Sequence, residues 1–338
     1  MAAITAPLDG PEQVRTGSTP TMAMFPGQGS QRAGMAAHLI ESHSETTEPI
    51  FAAADEAAGF ALTELCVSGT KQQLTRTEVT QLAVVATSLA TWEVLRAHNF
   101  RPAMVAGHSL GEFSALVAAG VLDLPGAFAL VRRRGELMAR VAGSADGGML
   151  AVVGLPSATV ERLCTERDGA GVAEVANYND PNQTVVSGHT VALEQIAAAA
   201  ADAGAQKVVF LEVGAAFHCS LMADIEDEFA EELAAHHFAT PRIPVISSVT
   251  GDFLTDAADI ATMLRRQLSR PVRWTDVLRS ADQAGPVRFA EIGPGRVLTG
   301  FVKNTFEDRP VFSTGDAPPL GAADADINTQ GRDHPITS

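Results

Sequence analysis

The stretch "AGHSLGEFSAL", residues 106–116, sets a serine between two glycines, with a histidine before it and a glutamate after it. An apolar run, Met104-Val105-Ala106, leads in, and a helix-compatible run, Glu112 to Ala119, leads out. Glycine–x–serine–x–glycine between a strand and a helix is the signature of a nucleophile elbow. The glycines tolerate a strained turn and a close approach, so the hydroxyl of Ser109 stands exposed. Backbone N–H groups at the start of the following helix then face an oxyanion developing on an attacked carbonyl. The same residues also suit a plain tight turn with serine as a helix cap, and the pattern recurs by chance.

A serine hydroxyl is a weak nucleophile and needs a base. The chain holds nine histidines. His38, His43, His98, His236, His237 and His334 lie in polar or helix-end settings and read as surface residues, and His189 sits in a turn. His108 adjoins the serine, but neighbours on a sharp elbow point apart. His218, in "VGAAFHCSLM", follows a strand and a loop of small residues and precedes a helix. That setting suits a catalytic base, and equally a satisfied, half-buried histidine.

A third group is Arg134, in "LVRRRGELM". On a helix from about 125 to 142, Ala127, Val131, Met138 and Val141 share one apolar stripe, and Arg134 falls on it. Arg132 and Arg133 project elsewhere and read as solvated. A guanidinium facing a core or cleft needs an anion, because a desolvated unpaired charge is costly. The anion is either a structural carboxylate or a substrate carboxylate held bidentately. "FPGQGSQ" supplies a Gly-rich turn, but Arg32 stands where a dinucleotide fingerprint has its third glycine, so a dinucleotide site is not expected. The turn can still bring a backbone N–H to a reacting carbonyl.

These groups need a scaffold, and 338 residues are ample for one. Hydrophobic residues at 46% and charged residues at 19% make an ordinary globular composition, and aromatics at 5% fit helices packed closely on a sheet. A net charge of −16 argues against general nucleic-acid or anionic-membrane binding. Cys66, Cys164 and Cys219 show no metal-type spacing and leave an odd thiol, so the reduced cytoplasm is the expected compartment. No apolar run reaches the roughly 18 residues of a membrane span.

Short apolar runs alternate with longer helical patterns, which predicts an α/β fold with a largely parallel sheet. "TMAMF", "PAMVAGHS", "PVISSV" and "VRFAEIGP" read as its strands. Between them "GGMLAVVGL", "SATVERLCTER", "GVAEVANYN", "QTVVSGH", "TVALEQIAAAAADAG" and "KVVFLEV" read as strand, helix, strand, strand, helix, strand, the ferredoxin-like order. The expected organisation is a leader over 1–20, a large subdomain over 21–144 and 213–315, a small inserted subdomain over 145–212, and a disordered tail over 316–338. A cleft between the two subdomains is a natural ligand site.

"FPGQGSQ", "GHSLGE", the Arg-Gly of "RRRGELM", "FHCSLM", "RRQLSRPVRW" and "EIGPGRVLTG" resemble, in the same order, the malonyl-CoA:acyl carrier protein transacylases, including the acyltransferases of polyketide synthases. The resemblance covers about residues 22–314. It implies an α/β-hydrolase-like large subdomain with a ferredoxin-like insertion. It implies Ser109 as nucleophile, His218 as base, a backbone carbonyl near Gln267 in place of a triad aspartate, Arg134 on the malonyl carboxylate, and the N–H groups of Gln28 and Leu110 as the oxyanion hole. On local sequence alone, Gln267 also reads as an exposed helix-end glutamine.

The resemblance extends to acyl-group choice. Malonyl-type enzymes are similar in having Phe before the histidine and a branched aliphatic residue after the serine, here Phe217 and Leu110. Ala215 departs from them, since a histidine often stands there. The implied substrates are malonyl-CoA and the phosphopantetheine thiol of an acyl carrier protein, in polyketide or fatty-acid synthesis, with no bound metal or redox cofactor. A monomer is expected. Carrier proteins of this kind are acidic, so a local basic surface must receive them. Residues 261–303 hold seven Arg and one Lys against two Asp and one Glu, and Arg266, Arg270 and Arg273 are the expected docking residues.

Other readings are an alkylmalonyl transferase, a carrier-to-carrier transferase, a serine hydrolase or thioesterase, and a relic scaffold. The hydrolase reading fits poorly, because 120 residues follow His218, whereas a hydrolase histidine usually lies near the C-terminus.

Overall fold

The computed structural model describes residues 19–142, 146–285 and 287–315. The expected tail, and all of the expected leader but its last two residues, lie outside the described residues.

In chain order the elements are β1 (Thr21–Phe25), α1 (Ala37–Ala58), α2 (Leu62–Ser68), α3 (Lys71–Thr75), α4 (Thr77–Ala97), β2 (Met104–Gly107), α5 (Gly111–Ala118) and α6 (Leu124–Ala142). Then come β3 (Gly148–Val153), α7 (Ser157–Thr165), β4 (Ala173–Asp180), β5 (Gln183–Gly188), α8 (Thr190–Asp202) and β6 (Lys207–Phe210). The chain continues with α9 (Glu226–Ala234), β7 (Val245–Ile246), β8 (Phe253–Leu254), α10 (Ala257–Arg266), α11 (Trp274–Gln283), β9 (Arg288–Glu291), α12 (Val297–Thr305) and β10 (Val311–Ser313).

The first sheet runs β10-β9-β1-β2-β7-β8. Its first five strands pair in parallel, and β8 adds an antiparallel edge. Strand periodicity divides its side chains between two cores. Ala23, Phe25 and Val105 face one core with α1, α4, α5 and α6, whereas Met22, Met24 and Ala106 face another with Trp274, Val277 and Leu298 of α11 and α12. Helix α4 is buried on nearly every side, which is why "VTQLAVVATSLA" carries so little charge. The "PVISSV" strand shrinks to two paired residues, Val245 and Ile246.

The second sheet, β4-β5-β3-β6, is antiparallel throughout and is formed by consecutive elements of the βαββαβ segment. Leu150, Val152 and Val186 point to α7 and α8, packing on Val160, Leu193 and Ile196. The alternate residues Met149, Ala151 and Val185 turn the other way and line a cavity of about 250 Å³ that also receives Ser109 and His218. β4 is tied to the chain between α10 and α11: Tyr178 N–H donates to the Val272 carbonyl, and Val272 N–H to Ala176. The two sheets therefore meet at one cavity.

Candidate active site

Ser109 follows β2 at the C-terminal edge of the parallel sheet, where ligands of open α/β sheets bind. Its φ is +50°, left-handed backbone that a non-glycine residue adopts only when its surroundings impose it. The flanking glycines make room for that turn. A Cβ on Gly107 would lie 1.9 Å from the carbonyl carbon of Gly111, and one on Gly111 would lie 2.0 Å from the Phe25 carbonyl oxygen. The strand and the helix thus touch backbone to backbone, and the serine is raised between them.

His218 lies 109 residues further on and meets the serine directly: Nε2 is 2.7 Å from Oγ. Its own φ is +60°, so both members of the pair occupy left-handed backbone. Nδ1 is 2.8 Å from the backbone carbonyl of Gln267. A carbonyl only accepts, so Nδ1 carries the proton and Nε2 is left to accept from the Ser109 hydroxyl. Burial, and then the charge of Arg134, pull the His218 pKa down to about 3, against the Gln267 carbonyl, which raises it. The imidazole is therefore neutral at physiological pH.

Arg134 is 1% exposed. Its Nη1 donates to Gln81 Oε1 at 2.9 Å, and its Nη2 to Ser109 Oγ at 3.1 Å and Gln267 Oε1 at 3.2 Å. Nε has no hydrogen-bond partner among the described residues. Burial lowers the guanidinium pKa to about 10, with Glu112 pulling the other way, so the charge persists at neutral pH. The amphipathic pattern of α6 accounts for this placement, since the stripe that buries Val131 and Met138 buries Arg134 with them. Arg132 and Arg133 lie on the outer side, but both are ion-paired rather than simply solvated, Arg132 with Glu136 and Arg133 with Glu228.

Gln267, at the end of α10, is 1% exposed, which corrects the exposed-glutamine reading. Its Nε2 donates to Glu112 Oε2 at 2.6 Å and to the Ser109 carbonyl at 3.1 Å. The turn after β1 reaches the same place. A Cβ on Gly27 would lie 2.5 Å from the His108 carbonyl oxygen, so glycine lets this turn lie against the elbow, and Gln28 lines the cavity beside Ser109. The backbone N–H groups of Gln28 and Leu110 have no backbone acceptor among the described residues.

Phe217 lines the cavity. Leu110 does not line it: its side chain is fully buried in the core beneath the elbow. This corrects the expectation that the Leu110 side chain forms part of the acyl pocket.

Among the expected docking residues, Arg266 and Arg270 are exposed. Arg273 is engaged with Asp276 at 2.7 Å and lies over the Tyr178 ring. Neighbouring Arg265 pairs with Asp227 and Glu226.

Four residues at the site carried no role in the sequence reading. Glu112 sat within the quoted elbow as a helix-start acid. Gln81 is a lone amide in the apolar run of α4, and that contrast was its signal. Ser248 donates to Glu112 Oε2 at 2.6 Å, and Asn179 of β4 meets His108 Nε2 at 2.9 Å. His108 itself packs against Trp274 and Phe301 and lines the same cavity. Among the described residues, no group of three or more His, Cys, Asp or Glu is placed to hold a metal ion, and no helix is long and apolar enough to cross a membrane.

A parallel α/β sheet with a serine elbow, a carbonyl-held histidine and a buried arginine defines an acyltransferase class of site. The chain belongs to the family described as Acyl transferase domain, which it matches over residues 23–326. It is similar to the malonyl CoA-acyl carrier protein transacylase of Salmonella typhimurium, 38% identical over 89% of this chain and 97% of that protein. It is also similar to the polyketide biosynthesis malonyl CoA-acyl carrier protein transacylase BaeC of Bacillus velezensis, 37% identical over 86% of this chain and 99% of that one. Among solved structures, an acyl carrier protein S-malonyltransferase from Vibrio cholerae superposes with a TM-score of 0.86 at 38% identity, over 90% of this chain and 100% of that one. A malonyl-transacylase in complex with a type II polyketide synthase acyl carrier protein gives 0.86 at 37% identity, over 90% and 98%.

Proposed function

We propose that the chain transfers a malonyl group from CoA to the phosphopantetheine thiol of an acyl carrier protein, through an ester on Ser109. The observation that carries this reading is the buried guanidinium of Arg134, 3.1 Å from the nucleophile and out of ion-pairing range of any carboxylate among the described residues. A hydrolase of neutral esters has no use for such a charge. A dicarboxylic acyl group brings the missing anion.

In the first half-reaction Ser109 Oγ gives its proton to His218 Nε2 and attacks the thioester carbon. The N–H groups of Gln28 and Leu110 receive the oxyanion. The Gln267 carbonyl, already bonded to Nδ1–H, stabilises the imidazolium. The C–S bond then breaks, and the leaving thiolate takes the proton from His218. In the second half the carrier's thiol gives its proton to His218, its sulfur attacks the ester, and Ser109 Oγ leaves with that proton. The chemistry is ping-pong and uses protein groups alone.

The walls of the cavity support a small acyl group. Phe217 stands beside His218 in the cavity wall, where its ring crowds a substituent on the α-carbon. The exposed Arg266 and Arg270, close in sequence to Gln267, form the surface for the acidic carrier. The test is intact-mass analysis after incubation with malonyl-, methylmalonyl-, ethylmalonyl- and acetyl-CoA. A malonyl adduct that persists in water until a carrier thiol arrives is expected. Rapid hydrolysis, or no adduct from any of the four, would overturn the reading.

A further inference from the structure

We propose that Glu112 is a positioning residue for this reaction: it locks the orientation of the Gln267 side-chain amide and so aims Arg134. The proposal rests on the malonyl-transfer reading above.

The Gln267 amide lies between two unlike environments. Its Nε2 faces three acceptors: Glu112 Oε2 at 2.6 Å, the Ser109 carbonyl at 3.1 Å and Ser248 Oγ at 3.4 Å. Its Oε1 faces Arg134 Nη2 at 3.2 Å. Rotating the amide by half a turn would set Oε1 against the carboxylate and the Ser109 carbonyl, and Nε2 against the guanidinium. The contacts with the Glu112 carboxylate, the Ser109 carbonyl and Arg134 would then join like partners. The shortest of the three, to a carboxylate oxygen, discriminates most between the two orientations.

The orientation matters because, among the described residues, Arg134 Nη2 is held by two oxygens, Gln267 Oε1 and Ser109 Oγ. With Oε1 turned away, Nη2 would lose one of the two contacts that fix it over the nucleophile. Glu112 stands at the start of α5, in the turn that follows Ser109, so one rigid element carries both the nucleophile and the acceptor that orients its surroundings. Gln267 also supplies the backbone carbonyl that holds His218, so one residue links all three reacting groups.

Arg134 is the charged group whose field acts on Glu112. Burial pushes the Glu112 carboxyl up to about 7, against the hydrogen bonds from Ser248 and Gln267 and the charge of Arg134. Its Oε1 has no hydrogen-bond partner among the described residues.

The experiment measures kcat/KM for malonyl-CoA and acetyl-CoA in the wild type, Glu112→Gln and Glu112→Leu, with thermal unfolding of each. A glutamine oxygen accepts as Oε2 does, so Glu112→Gln should keep the malonyl-to-acetyl ratio within about threefold. Leucine cannot accept, so Glu112→Leu should lower the ratio about tenfold or more, chiefly through KM for malonyl-CoA, while remaining folded. A ratio unchanged in Glu112→Leu overturns the proposal. So does equal loss in both variants, which would make charge rather than orientation the operative property. If Glu112→Leu fails to fold, Gln267→Met tests the other end of the bond, and an unchanged ratio there overturns the proposal as well. A wild type that accepts no malonyl-CoA refutes the functional reading itself, and the proposal with it.

Discussion

Nη2 of Arg134 lies 3.1 Å from Oγ of Ser109 inside the protein, and no carboxylate among the described residues is within ion-pairing distance of that guanidinium. Burial, reinforced by this cation, holds the neighbouring His218 imidazole neutral, and the guanidinium itself calls for an anion. Both consequences are measurable.

Arg134→Ala should impair malonyl loading far more than acetyl loading. Removing a buried charged donor from its anion costs about 2–5 kcal/mol, more than tenfold in kcat/KM. Steady-state kinetics with both thioesters decide the matter. Parallel loss of both activities, with a lowered unfolding temperature, would show a structural arginine instead.

Ser109→Ala should leave no acyl-enzyme after incubation with malonyl-CoA. The fold should survive, and relief of the φ of +50° at this position is not expected, because alanine is no more tolerant of it than serine. Peptide mapping of any residual adduct would identify another nucleophile if the assignment is wrong.

Phe217→Ser should admit methylmalonyl-CoA. A methyl-sized group against a pocket wall is worth about 1–3 kcal/mol, so the malonyl-to-methylmalonyl ratio should fall about tenfold or more. Competition between the two thioesters, read by intact mass, measures it. A wild type that already prefers methylmalonyl would refute the role given to this ring.

Acid should destabilise the protein through His218. Its pKa is pulled down to about 3 in the folded state, so between about 6.5 and 3 the unfolded chain binds a proton that the folded chain refuses. Stability is then lost as pH falls through that window, by up to about 1.4 kcal/mol per unit from this group. Glu112 acts with opposite sign. Pushed up to about 7, it binds its proton more readily when folded, so its contribution falls as pH rises from about 4.5 to 7. Denaturant titrations of the wild type and His218→Gln at pH 7 and pH 5 should show the wild type losing stability relative to the variant. A constant difference would mean that the imidazole is not held neutral.

Reversing Arg266 and Arg270 to glutamate should slow carrier-dependent transfer and spare loading of Ser109 from malonyl-CoA. Both side chains are exposed, so the effect should appear in association rate and weaken with added salt. Stopped-flow transfer at two ionic strengths checks this. Equal loss of loading and transfer would indicate misfolding, and no loss of either would move the docking surface elsewhere.

Local sequence determined much of this protein. The apolar runs of β1 and β2, the helical stripe that buries Arg134 and the glycine spacing around Ser109 are short-range patterns, and each dictates its geometry through backbone sterics or side-chain periodicity. The βαββαβ order was legible for the same reason.

What only the tertiary structure decided depends on contacts distant in sequence. Ser109 and His218 meet across 109 residues, and His218 and Gln267 across 49. No local rule reports which loops converge at a sheet edge, so without the family resemblance these partners stay open. Gln267 read as an exposed helix end because its burial comes from Ser109, Glu112 and Arg134, all from other parts of the chain. Leu110 shows the converse: its place after the serine suggested a pocket wall, but the fold turns its side chain into the core. The arginines divide likewise, since Arg273 meets Asp276 and Tyr178 whereas Arg266 and Arg270 stay exposed. Charge and periodicity are properties of a segment, but a hydrogen-bond partner is a property of what the fold sets opposite it.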